Sequence, residues 1–148
     1  MPPTPEMFQQ LGVSLLLGLL VGLQRQRAAS VMAGVRTFPL ITVLGTVSAM
    51  LAIEFGGWIL AAGSLGIVAV LILGHLPKFR LQDPDMGITT DVAMLLMYAI
   101  GAFLVVGPVA VAVAIGGGVA VLLQFKPEMH RFAEKLGDED LKAVMQFV

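Results

Sequence analysis

The chain has 148 residues, of which 57% are hydrophobic and 13% charged, with a formal net charge of -1 and a mean hydropathy of +0.92. Soluble domains carry roughly 25% charged residues, so this balance excludes a soluble globular domain and marks an integral membrane protein. The near-neutral charge offers no basic field for nucleic acid, and the absence of cysteine removes disulfides and thiolate metal sites.

The first ten residues, "MPPTPEMFQQ", place no Lys or Arg ahead of the apolar run, and no small-residue cleavage site follows it. The opening segment is therefore read as a retained span rather than a signal peptide. Crossing about 30 Å of hydrocarbon takes about 20 apolar residues as a helix. Five such segments follow in order, near residues 7–23, 37–55, 58–76, 88–106 and 108–125. None alternates apolar with polar residues as a barrel strand does. The predicted fold is all-α: a polytopic bundle of five transmembrane helices over residues 1–125, with an amphipathic cytoplasmic tail over 126–148.

On the first segment Gly18, Gly22 and Arg25 share a face, and the Gly18–Gly22 spacing lets another backbone approach closely. Arg27 lies about 160° round from Arg25 and off that face. The second segment has a similar small-residue stripe at Gly45, Ala49 and Ala52, with Ser48 alongside. Each stripe serves either packing within the chain or a homodimer seam. The pair Gly56–Gly57 makes the second and third segments an antiparallel hairpin, with Glu54 and Trp58 as interfacial residues beside it. His75, near the end of the third segment, has no second ligand at metal spacing, and neither does His130. Both read as interfacial polar residues.

The connection 77–87, "PKFRLQDPDMG", holds Asp83 and Asp85 around a proline, a pattern of exposed turns. In "GITTDV" either Thr89 or Thr90 is a good N-cap for the fourth segment, with Asp91 in its first turn, where the helix dipole favours a carboxylate. A charge at that depth usually has a partner. Arg36, opening the second segment at the same level, is the expected one. A hard cation such as Mg²⁺ prefers one or two carboxylates plus water, which makes Asp83, Asp85 and Asp91 the metal candidates.

Gly107 and Pro108 connect the fourth and fifth segments, glycine suiting a helix end and proline a first turn. The fifth carries Ala110, Ala114 and Gly118 at four-residue spacing, an alternative dimer seam, and its Gly116–Gly118 run is the one point where a span could break. In the tail, Met129, Phe132, Ala133 and Leu136 form one apolar face, with Lys126, Arg131 and Lys135 available for lipid headgroups. Gly137 is expected to end that helix and Asp138 to cap the next.

Lys and Arg fall only at one end of the spans: Arg25, Arg27 and Arg36, then Lys78 and Arg80, then a tail that starts with Lys126, Arg131 and Lys135 and also holds Lys142. By the positive-inside bias that end is cytoplasmic, leaving the N-terminus outside and the C-terminus inside. No Ser/His/Asp set, phosphate-binding glycine loop or paired-carboxylate centre supports enzyme chemistry.

The runs "LLLGLLVGLQRQR" and "AGVRTFPLITVLG" resemble the signature of the MgtC/SapB family of bacterial inner-membrane proteins. There a Gly-rich first helix leads into Gly-Leu-Glu-Arg-Glu and Ala-Gly-Leu-Arg-Thr opens the second helix. "GITTDVAMLLMYAIGAF" is similar to a Gly-Leu-Thr-Thr-Glu/Asp segment of the larger members, and the likeness continues into "LLQFKPEMHRFAEKLGDEDLKAVMQFV". In those members an MgtC-like half precedes a second membrane domain, so the resemblance implies the N-terminal half of such a protein or a shortened version of one. Gln24 and Gln26 stand where the family has glutamates, which removes two carboxylates from a potential cation site. The resemblance implies an inner-membrane location and a role in ion, chiefly magnesium, homeostasis, exercised by binding or regulating a membrane protein such as ATP synthase or a transporter. A homodimer is expected, with membrane lipids as surroundings and no cofactor beyond a potential Mg²⁺ ion. Two alternatives remain at this point: a transporter or channel for Mg²⁺ or a small solute, and a lipid-binding membrane protein.

Overall fold

The computed structural model describes residues 1–28, 33–81 and 87–125, together with eight positions of the tail: Glu128, Arg131, Phe132, Glu134, Lys135, Gly137, Ala143 and Gln146. Five helices follow one another, α1 Thr4–Ala28, α2 Ala33–Phe55, α3 Trp58–Leu81, α4 Ile88–Val106 and α5 Val109–Gln124. No strand occurs among the described residues. α1 to α4 each contain a stretch long and apolar enough to cross a membrane. α5 is also apolar but has 16 residues, about 24 Å of helix. The expected fifth span is thus present as a helix shorter than the hydrocarbon core, and it runs unbroken through Gly116–Gly118.

α1 to α3 outrun their apolar segments at the basic end. Arg25 and Arg27 lie on α1, Arg36 in the first turns of α2, and Lys78 and Arg80 on α3 beyond Pro77. Hydropathy marks where hydrocarbon ends, whereas a helix continues as long as its own backbone hydrogen bonds close. At the other end Gly56 takes a positive φ of 100° between α2 and α3 and its N–H closes onto Ala52 O at 2.9 Å. Trp58 Nε1 donates to Phe55 O at 2.8 Å across that turn.

α2 is the hub of the bundle, packing on α1, α3 and α4. Against α1, a Cβ added at Gly18 would collide with Pro39 Cα, and one at Gly22 would lie 2.8 Å from Gly34 O. Pro39 lacks an N–H and leaves Val35 O without its helical partner. Bare glycine faces on α1 let α2 approach at that irregular turn. Against α4, a Cβ on Gly45 would strike Tyr98 O and one on Gly101 would strike Thr42 O. Between these glycines Thr46 Oγ1 donates to Gly101 O at 2.8 Å. Close backbone approach and hydroxyl-to-carbonyl bonds replace the hydrophobic drive that lipid cannot supply between helices.

The buried cluster joins Leu17 and Val21 of α1, Phe38 of α2, Ala93, Met97, Ile100 and Leu104 of α4, and Ala112, Val119, Ala120 and Leu123 of α5. α3 lies outside it. Only 6% of the α3 span window is buried, against 44% in α2. Its polar ties to the bundle include Tyr98 Oη donating to Leu60 O at 3.0 Å near one end and the His75–Asp91 contact near the other.

In the tail the eight described positions are helical and exposed, Phe132 among them. Met129, Ala133 and Leu136, expected to share its face, lie outside the described residues. Gly137 is helical rather than the helix end expected of it. A glycine costs a helix about 1 kcal/mol relative to alanine and does not by itself terminate one.

Candidate functional site at the basic end of the bundle

The C-terminal ends of α1 and α3 and the N-terminal ends of α2 and α4 meet at one end of the bundle, which gathers Arg25, Arg36, His75, Thr89, Thr90 and Asp91. α1 crosses α2 near Gly22, so Arg25 is half-buried with its stem over Gly34, where an added Cβ would lie 3.3 Å from Arg25 Cγ. Arg36 is exposed. The side chain of Arg27 lies outside the described residues, as do Asp83 and Asp85.

α4 begins differently from expectation. Its N-cap is Gly87, in the left-handed region at φ 63°, with no side-chain capping bond. Gly87 O accepts from Thr90 N at 2.8 Å and from Asp91 N at 3.2 Å. Thr89 and Thr90 therefore fall inside the first turn, Thr89 exposed and Thr90 half-buried. A glycine already in the left-handed conformation closes the turn through its own carbonyl, so neither threonine is called on to cap it. Thr90 Oγ1 is buried and has no hydrogen-bond partner among the described residues. Asp91 stays in the first turn as expected.

The partner of Asp91 is His75, not Arg36: His75 Nε2 lies 3.5 Å from Asp91 Oδ2. The reason is topological. α3 and α4 form an antiparallel hairpin that brings the end of one beside the start of the other, whereas the exposed Arg36 side chain reaches water and headgroups at lower cost. The other ring nitrogen, Nδ1, is 2.7 Å from Leu71 O. A carbonyl can only accept, so Nδ1 carries a hydrogen. With Nδ1 turned to Leu71 O, Nε2 is the ring nitrogen that faces the carboxylate. The pair borders a cleft of about 280 Å³ walled by Val68, Leu71, Ile72, Ile88 and Leu95.

Among the described residues no three His, Cys, Asp or Glu side chains converge as metal ligands. Asp91 and His75 together offer one carboxylate and one imidazole, which does not fit the oxygen-only preference of Mg²⁺. Of the small residues expected at a dimer seam, Gly18, Gly22 and Gly45 are consumed by packing within the chain. Ala114 and Gly118 are exposed on α5, with nothing within 4 Å of a Cβ placed at Gly118.

Sequence reasoning missed His75 as a partner because it sought ligands at helical spacing, and His75 and Asp91 belong to different helices. The findable signal was a histidine at the very end of one apolar segment and an acid in the first turn of the next.

The model of the MgtC family matches residues 11–132. No curated protein and no solved structure matches the chain.

Proposed function

The chain belongs to the MgtC family, and on that footing we propose that it serves magnesium homeostasis as a non-enzymatic bacterial inner-membrane protein that binds and regulates another membrane protein. The observation that carries this reading is the placement of charge. The Asp, Glu, His, Lys and Arg residues of α1 to α4 stand within about two turns of a helix end, and α5 has none. Mid-bundle polar groups such as Thr42 and Thr46 are spent on helix carbonyls. A transporter needs ion-binding groups or a broken helix near the midplane. The lysine and arginine bias supports a cytoplasmic basic end, and hence an N-terminus outside. That end holds Arg36, Thr89, Thr90 and Asp91 where a cytoplasmic partner or a neighbouring membrane protein can reach them. A homodimer, on this reading, forms through the free α5 face at Ala110, Ala114 and Gly118.

Two assays on the full chain test the proposal. Proteoliposomes loaded with a magnesium-sensitive dye are expected to show no Mg²⁺ entry above empty vesicles. Expression in a bacterium lacking its own family member is expected to restore growth under magnesium limitation, and Arg36→Ala with Asp91→Ala to abolish that rescue without loss of membrane insertion. Saturable Mg²⁺ entry would establish the transporter reading instead.

A further inference from the structure

We propose that the groove between α3 and α4 is a binding site for one phospholipid carrying an ethanolamine headgroup. Its acyl chain lies along the groove and its headgroup sits at the His75–Asp91 pair. This inference does not depend on whether the chain regulates a partner or moves a solute.

The groove comes from side-chain size. Ala49, Ala52, Ala61, Ser64, Ala99 and Ala102 line a cleft of about 670 Å³ between α2, α3 and α4. Larger residues there would have closed it. Leu95 borders both this cleft and the 280 Å³ cleft that ends at His75 and Asp91. The two are therefore consecutive along the same faces of α3 and α4, from Val106 at one end of α4 to Ile88 at the other. That 19-residue helix is about 28 Å long, close to the thickness of the hydrocarbon core.

The occupant follows from the surroundings and from the polar end. Both walls are membrane spans, so the solvent at the mouth of the groove is acyl chain. An unfilled groove forfeits the dispersion contacts of its lining. Ser64 and Tyr98 also line the larger cleft, but the carboxylate and imidazole of the lining stand at the other end, where the side chains of Asp91 and His75 remain 27% and 17% exposed. The carboxylate only accepts hydrogen bonds, and the imidazole, held through Nδ1 by Leu71 O, presents Nε2 beside it. An ammonium complements the carboxylate, and a headgroup held there sets its phosphate beside the imidazole. Phosphoethanolamine carries both groups a short distance apart. A phosphoglycerol headgroup carries the phosphate alone and meets Asp91 with like charge.

The test uses the purified full chain in mild detergent with added dioleoyl phosphatidylethanolamine or dioleoyl phosphatidylglycerol, read by native mass spectrometry. The parent is expected to retain one phosphatidylethanolamine per chain, at least tenfold in excess of phosphatidylglycerol. Ala99→Phe, which fills the groove from α4, and Ala61→Leu, which narrows it from α3, should each cut retention at least fivefold. The two lie on different helices, so misfolding of one leaves the other to decide. Asp91→Asn should keep lipid bound but bring the two headgroups to equal retention. Ala114→Phe, on the outer face of α5, should change nothing. The proposal is overturned if the parent retains no lipid or fails to distinguish the headgroups, or if either groove variant retains as much as the parent. It is also overturned if Ala61→Cys cross-links two copies in the membrane, which would make a second chain the occupant.

Discussion

Thr46 of α2 donates through its hydroxyl to the carbonyl of Gly101 on α4 at 2.8 Å, across 55 residues of chain. On either side of that bond the helices are so close that neither Gly45 nor Gly101 has room for a Cβ. This contact is the structural centre of the bundle, and α1, α3 and α5 are arranged around the pair it joins.

Gly45→Ala and Gly101→Ala should each destabilise the protein by more than about 1–3 kcal/mol, the usual cost of overpacking, because the added methyl meets backbone that cannot rotate away. Gly117→Ala has open space around it and should stabilise by up to about 1 kcal/mol through helix propensity. Thermal unfolding in detergent reads both, and the opposite signs are the decisive feature.

Thr46→Val keeps the shape of the side chain and removes its donor. Interhelical hydrogen bonds in membranes average about 0.6 kcal/mol, and leaving the Gly101 carbonyl without this donor raises the expected loss to about 1 kcal/mol. Thr46→Ser should recover most of it. A loss from Val that Ser does not recover would assign the role of Thr46 to its methyl group rather than its hydroxyl.

His75 and Asp91 should be coupled, and Arg36 and Asp91 should not. In double-mutant cycles to alanine, His75 with Asp91 is expected to deviate from additivity by about 0.5–3 kcal/mol, while independent pairs add within about 0.5 kcal/mol. Imidazole ¹⁵N shifts give a second reading, with Nδ1 protonated whatever the state of Nε2, as its bond to Leu71 O requires. Additivity for His75 with Asp91 would show that their proximity carries no energy.

The two small-residue stripes should respond differently to leucine. Gly18→Leu with Gly22→Leu forces side chains into Pro39 and Gly34 and should cost folded yield. Ala114→Leu with Gly118→Leu changes an exposed face and should leave yield unchanged while lowering the dimer fraction measured by light scattering. A parent that is monomeric, or a fully dimeric α5 variant, would overturn the α5 seam.

Much of this fold is legible in the sequence because the bilayer allows few solutions. Long apolar runs must close their own backbone hydrogen bonds, so each becomes a helix, and the two-residue connections at Gly56–Gly57 and Gly107–Pro108 leave their helices antiparallel. The α4 limits, Ile88–Val106, were readable outright because glycine bounds both ends. The other limits were blurred wherever a helix ran on into the headgroup region, as α1 does through Arg25 and Arg27.

The sequence by itself determined that the chain is a helical membrane protein, which stretches are apolar enough to span, which end collects the positive charge, and that glycine stripes mark close helix contacts. Periodicity reports which residues share a face but not what that face meets. Only the tertiary structure decided that Gly18 and Gly22 meet Pro39 and Gly34, that Gly45 meets Tyr98, and that Gly118 meets nothing. Only it decided that Asp91 pairs with His75 rather than Arg36. Several partners of suitable chemistry lay at the same membrane level, and the choice among them depends on how helices are rotated and ordered around α2, a property of the whole packed bundle that no local spacing encodes.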